Sequence, residues 1–233
     1  MNLKDIYTEV RNILSDTTIP YQWSDNELRG YVNQSIIDAS IRSRCIVDST
    51  SPDCSILNVV AGKSNYPIHE SVFYIERVYD SVHSSTLTAT DTQTVDSMRN
   101  INGSTDTNCS EYSRPEFYIA DLNHCGTDTD GLREISIYPT PSMALTLNLT
   151  VIRTPLEALS DGDIPEIPFF HHYALIYGAL ALAYQKHDAD TEDRNKSAEF
   201  EAQFTQVFGD RPTAKFLQWG RQHKVNRVRS YFK

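Results

Sequence analysis

Residues 174–183 read Ala174-Leu175-Ile176-Tyr177-Gly178-Ala179-Leu180-Ala181-Leu182-Ala183. No side chain here carries a charge, and a helix made of these residues is apolar all round. Such a helix is buried on most of its faces. Gly178, Ala179, Ala181 and Ala183 keep its surface low, so neighbouring helices can come close. The apolar run extends from Tyr173 to Tyr184, twelve residues. A bilayer span needs about 20. The stretch is therefore expected at the centre of a soluble bundle, with no membrane partner. Pro165 and Pro168 mark its entry, and the helix is predicted from Phe169 to about His187.

The segments that can surround it lie at both ends of the chain. Leu3, Ile6, Val10, Ile13 and Leu14 fall on one face at helical spacing. Thr17-Thr18-Ile19-Pro20 ends that helix. A second helix starts at Ser24, an N-cap whose capping box is completed by Glu27. Asp25 and Glu27 also favour the positive end of the helix dipole. Leu28, Tyr31, Val32, Ser35, Ile36 and Ala39 form its buried stripe, which runs to about Arg44. Trp23 precedes the cap, where it can staple onto the first turns. After the apolar helix, residues 188–193 form a polar link. A last amphipathic helix carries Ala198, Phe200, Ala202, Phe204, Val207 and Phe208, with Gly209 as its C-cap.

The middle of the chain has a different rhythm. From about Cys54 to Thr154, short β-rich runs alternate with turn residues. Strands are predicted at Ile56–Val60, Tyr66–Ile68, Phe73–Tyr79 and Leu87–Ala89, with a short helix over Thr92–Met98. Phe117–Ala120 is expected to pair with Glu134–Tyr138 across the loop 121–132. Leu145, Leu147, Leu149 and Val151 alternate with Thr146, Asn148 and Thr150. That alternation marks a half-buried antiparallel strand. The predicted fold class is α+β, mainly α: a helical bundle from the N- and C-terminal helices, with a β-rich insert and a C-terminal extended arm. The expected segments are 1–50, N-terminal helices of the bundle; 51–155, the insert; 156–210, C-terminal helices of the bundle; and 211–233, a basic docking arm.

Charge separates the arm from the body. Residues 211–233 hold seven of the 21 Lys and Arg residues and none of the 31 Asp and Glu residues. Residues 1–210 therefore carry a formal charge of −17, while the arm carries +7. Such asymmetry within one chain marks an interaction segment. Phe216, Leu217, Trp219, Tyr231 and Phe232 lie among the cations. Aromatic anchors between cations favour docking on a partner over simple solvation.

The residues offer little for catalysis. No Gly-rich phosphate loop, His-Glu-x-x-His or Gly-x-Ser-x-Gly occurs. Gly62-Lys63-Ser64 copies the end of a P-loop but sits in an expected hairpin turn. His171 and His172 adjoin Asp161, Asp163 and Glu166, yet adjacent helical residues point about 100° apart, which opposes chelation of one ion. The pair is expected at a helix start, partly exposed. Thr127-Asp128-Thr129-Asp130-Gly131 keeps only part of a calcium-loop pattern. Cys45, Cys54, Cys109 and Cys125 match no metal knuckle. The start, Met1-Asn2-Leu3-Lys4-Asp5-Ile6, turns polar at once and lacks an apolar signal region, so a cytosolic site of synthesis and reduced thiols are expected. No enzyme activity, cofactor, catalytic residue or metal site is expected. An alternative class is a small hydrolase or carbohydrate-active domain with its site in the β-rich insert, using Asp and Asn of loops 99–114 and 121–132. A third is a nucleic-acid-binding regulator acting through the arm.

Two stretches resemble a known family. Tyr21-Gln22-Trp23-Ser24-Asp25-Asn26-Glu27-Leu28, followed by Tyr31-Val32-Asn33, is similar to the entry helix of head-to-tail adaptors (connector or neck proteins) of tailed bacteriophages. Ile164-Pro165-Glu166-Ile167-Pro168-Phe169-Phe170-His171-His172-Tyr173-Ala174-Leu175 resembles their second signature, which enters an Ala-rich helix. The resemblance covers the two ends, about half of the chain. It implies a non-enzymatic virion protein made in the host bacterial cytoplasm and placed in the neck, between capsid and tail. It implies a homo-oligomeric ring, commonly of twelve copies, that extends the DNA channel. DNA would pass without specific binding during genome ejection. The implied partners are further copies of the chain, the portal protein, and a tail or nozzle protein. The family's arm commonly reaches the portal, which makes Phe216, Trp219, Arg221, Lys224, Arg227, Arg229, Tyr231 and Phe232 the expected portal-docking residues.

Overall fold

The computed structural model describes residues 1–101, 114–125, 133–186 and 192–213, except for the side chains of 98–101 and 121–125. In chain order the elements are α1 (Leu3–Ile13), α2 (Asp25–Ser43), β1 (Val47–Asp48), α3 (Pro52–Ser55), β2 (Ile56–Val59), β3 (Asn65–Ile68), β4 (Val72–Asp80) and β5 (Ser85–Ala89). There follow α4 (Thr92–Ile101), β6 (Phe117–Cys125), β7 (Arg133–Tyr138), β8 (Leu145–Arg153), a 3₁₀ turn (Phe169–His171), α5 (Leu175–Ala183) and α6 (Arg194–Phe208). The chain divides into two compact units. Among the described residues, the first holds Met1–Val47 and Ile152–Arg211, and the second holds Asp48–Val151 and 212–213.

In the first unit, capping chemistry sets where the helices begin. Asn2 and Asp5 close a capping box at α1: the Asp5 amide donates to Asn2 Oδ1 at 2.8 Å, and the Asn2 amide donates to Asp5 Oδ2 at 3.0 Å. Ser24 and Glu27 do the same for α2, as their spacing predicts. Trp23 is buried, and its indole N–H donates to the Ala183 carbonyl at the end of α5. The core gathers Leu3, Ile6 and Val10 of α1, Leu28, Val32 and Ile36 of α2, and most of α5. Phe204 and Phe208 of α6 complete it.

Gly178 sits where α2, α5 and α6 meet. A Cβ at this position would lie 2.3 Å from Ser35 Oγ and 2.8 Å from Phe204 Cε2. Ser35 meanwhile donates to the Leu175 carbonyl at 2.9 Å. The missing side chain is what permits this approach.

The second unit is built on an eight-stranded mixed sheet in the order β1-β8-β4-β5-β6-β7-β3, with β2 also paired to β8. The pairs β2–β8, β3–β7, β4–β5 and β6–β7 are antiparallel, while β5–β6 is parallel. Parallel neighbours need a crossover of a dozen or more residues, and the segment containing α4 supplies it. β8 buries Leu145, Leu147, Leu149 and Val151, as its alternation predicts.

Two expectations are corrected. The chain is not a mainly helical bundle carrying an insert. Among the described residues it has six helices and an extensive mixed sheet that forms the basis of a unit in its own right. The short β runs other than β1 were legible, but their long-range pairing joins them into one large sheet. The apolar helix is also shorter than predicted. Phe169–His171 make a 3₁₀ turn, and α5 spans only Leu175–Ala183, nine residues. Apolar content marks burial, whereas helix ends depend on caps. No side chain caps α5 at Ala174.

Candidate functional site

The predicted docking residues Phe216, Trp219, Arg221, Lys224, Arg227, Arg229, Tyr231 and Phe232 lie outside the described residues. The described part of the arm is its root. α6 ends at Phe208, and Gly209 follows at φ 83°, a left-handed backbone value that glycine adopts without a Cβ penalty. The Gly209 amide donates to the Thr205 carbonyl at 2.8 Å. Two residues on, Arg211 is held by α2. Its Nε and Nη2 both lie 2.9 Å from Asp38 Oδ1.

Asp38 is itself held from below. Arg42, one helical turn later, places Nη2 at 2.7 Å from Asp38 Oδ2 and 2.6 Å from Glu201 Oε1. Its Nη1 donates to Thr205 Oγ1 at 2.9 Å and reaches the Gly209 carbonyl at 3.4 Å. A cation at the C-terminal end of α6 also meets the negative end of that helix dipole. The Arg42 side chain is 4% exposed, and its ring neighbour is Phe204, 5.0 Å away. Within this guanidinium only Nε lacks a hydrogen-bond partner.

Burial pushes the Asp38 carboxyl up, but the hydrogen bonds from Arg211 and Arg42 outweigh it and hold it below the ordinary carboxylate value. Burial also opposes charge on Arg42, and the bonds to Asp38 and Glu201 overcome that and raise it. A cleft of about 460 Å³ opens here, with Asp38, Arg42, Glu201, Asp210 and Arg211 among its lining residues. This network escaped the sequence reading. Asp38 and Arg42 stand at i,i+4 spacing on α2, which was the available signal. Glu201 lies on another helix.

The other candidates have structural explanations. Gly62 turns between β2 and β3 at φ 79°, and the Tyr66 hydroxyl closes the turn, accepting from the Val60 amide and donating toward the Val60 and Lys63 carbonyls. His172 is buried, which corrects the expectation of a partly exposed pair. Its Nε2 lies 2.8 Å from the Ile167 carbonyl, and its Nδ1 lies 3.4 Å from the N-terminal nitrogen. Nearby, Asp161 pairs with Arg29 and Glu166 with Arg153, while Asp163 accepts from the Ser160 amide. These acidic groups thus serve the fold.

Several buried charged groups were not anticipated, Arg11 and Asp80 among them. Arg11 binds Asp16 at 2.7 Å, Asp25 at 2.6 Å and the Trp23 carbonyl at 2.9 Å, and so fixes the segment between α1 and α2. Asp80, fully buried at the β4–β5 turn, accepts from the Val82 and His83 amides and pairs with the His83 ring. Cys45 and Cys54 are reduced thiols in no disulfide, and Cys54 Sγ lies 3.6 Å from Ser71 Oγ. Among the described residues, no group of three or more His, Cys, Asp or Glu is placed to hold a metal ion, and no helix is long and apolar enough to cross a membrane. Of the predicted loops, 102–113 and 126–132 lie outside the described residues, and with them Cys109 and the calcium-like stretch.

Comparison with known proteins gives the frame for this geometry. No curated protein matches the chain. A family model described as SU10 adaptor protein matches residues 1–229, so the match runs through both units and nearly all of the arm. The chain belongs to the SU10 adaptor protein family, structural adaptors of phage virions that interact with other virion proteins.

Proposed function

We propose that this adaptor works in the neck of the virion, as a ring of identical copies between the portal and the tail. The ring extends the DNA channel, and each copy docks to the portal through its C-terminal arm. A tail or nozzle protein takes the opposite side. The observation that carries this reading is the family match running to residue 229, which takes the basic arm into the matched region. The charge contrast supports it. An arm of +7 is attracted to an acidic partner surface that would repel a body of −17. Phe216, Trp219, Tyr231 and Phe232 would supply the apolar anchors, and Arg221, Lys224, Arg227 and Arg229 the register and association rate. A body of this charge also suits a channel wall past which DNA slides, since each Lys or Arg on such a wall would retain a phosphate.

The test is electron microscopy of the purified protein mixed with its portal, with the full chain and a chain ending at Arg211 run side by side. The full chain is expected to add a ring to the portal, and the truncated chain to remain folded but unattached. Unchanged attachment of the truncated chain would refute the docking role of the arm.

A further inference from the structure

We infer that Asp38 and Arg42 are positioning residues for the arm: through Arg211 they fix the point and direction from which the chain leaves α6. The inference rests on the docking reading above for its purpose, but not for its first test.

An ordinary surface ion pair is weak. Arg211 is 66% exposed, and an exposed pair contributes little, because both partners lose side-chain freedom in forming it. Here one partner has already lost that freedom. Asp38 is 13% exposed and is oriented by Arg42, which is almost wholly buried and fixed in turn by Glu201 and Thr205. The carboxylate is divided between two cations: Oδ2 faces Arg42 and Oδ1 faces Arg211. Only Arg211 has to be ordered to close the contact.

The backbone narrows the choice further. Gly209 turns the chain at the helix end. Arg211 precedes Pro212, and a residue before proline is restricted to extended conformations. Turn, extended residue and side-chain clamp follow within three positions. Together they leave the arm a preset start, which reduces the ordering cost of capture by a partner.

The same geometry makes the clamp dependent on the Asp38 charge. Arg42 and Arg211 are like charges brought near each other by the carboxylate between them. Without it they repel, Arg42 keeping only Glu201 as its ionic partner, and the arm root loosens.

The experiment is backbone ¹⁵N relaxation on the free full-length chain. At Asp210 and Arg211 the order parameter is expected near the rigid value of about 0.85 in the unmodified protein and below about 0.6 in Arg211→Ala. Arg211→Lys should fall between them. Arg211 lies outside the core, so the amides of α2 should be unchanged and report an intact fold. Asp38→Asn should loosen the same two positions. Equal order at 210–211 in Arg211→Ala and the unmodified chain would overturn the clamp, as would a tight root in Asp38→Asn. Arg211→Ala should also slow capture by the portal, and unchanged capture kinetics with a loosened root would overturn the positioning role. Attachment of the chain ending at Arg211 would instead refute portal docking by the arm, while the relaxation result would still stand for the clamp.

Discussion

The two units bury their apolar surface in opposite ways. In the helical unit the tightest point is made by an absent atom. Gly178 lets Ser35 and Phe204 come closer than any Cβ would allow. In the sheet unit burial is made by atoms that are present, spaced two residues apart along β8: Leu145, Leu147, Leu149 and Val151. A helix crossing concentrates its contact at one residue, because close approach is limited by the side chains at the crossing. A strand distributes contact over every second residue. The helical unit is thus sensitive to added volume at one site, and the sheet unit to lost volume at several.

The largest expected effect removes atoms from the sheet. Leu147 is fully buried in β8, opposite Leu57 of β2. Leu147→Ala loses transfer energy and leaves a cavity, and should destabilise by about 2–5 kcal/mol. Its neighbour Asn148 is exposed on the other face, and Asn148→Ala should change stability by less than about 0.5 kcal/mol. Urea unfolding of both variants checks this. Comparable losses from the two substitutions would mean that the alternation does not divide β8 into a buried and an open face.

How much of this contrast was legible differs between the units, for a physical reason. Helix starts are local chemistry, so Ser24 and Glu27 announced α2. Alternation is also local, so β8 was visible in Leu145–Val151. Pairing is not local. Nothing in Ser85–Ala89 says that its parallel partner begins at Phe117, or that β8 should lie beside β4. That is why the sheet was underestimated and the bundle overestimated. Apolar periodicity also misplaced some contacts: Ile13 and Val207 are exposed, whereas Arg11, a charged residue on the buried face of α1, is not. For the site, the charge of the arm could be read directly from the sequence. Its root could not, because Asp38 and Glu201 are brought together by folding from positions 163 apart.

The second effect adds an atom to the helical unit. In an ordinary helix interior, Gly→Ala gains about 0.5–1 kcal/mol. At Gly178 the new methyl would meet Ser35 Oγ at 2.3 Å and Phe204 Cε2 at 2.8 Å. Ser35 cannot swing away without giving up its bond to the Leu175 carbonyl. Overpacking of this kind costs about 1–3 kcal/mol, so the net change should be destabilising. Thermal unfolding followed by circular dichroism would show a lower midpoint, and a raised midpoint would mean that the three helices have room to part.

The smallest effect has the opposite sign and tests whether Gly178 is special or merely a glycine. Gly30 also lies within a helix, α2, but it is exposed, and a Cβ built there meets nothing within 4 Å. No positive φ requires a glycine at this position. The lower backbone entropy of alanine in the unfolded chain then decides the outcome, and Gly30→Ala should stabilise by about 0.5–1 kcal/mol. The pair Gly30→Ala and Gly178→Ala holds the chemistry of the substitution constant and changes only what surrounds the methyl. Their difference therefore measures the crowding at the α2–α5–α6 crossing, free of the helix-propensity gain common to both. The two sites lie on different helices, and Gly30 is no part of the cleft lining around Gly178, so the double variant should show the sum of the two changes. If the single variants shift stability in the same direction and by the same amount, the close approach at Gly178 contributes nothing, and the contrast between the two cores fails at its helical end.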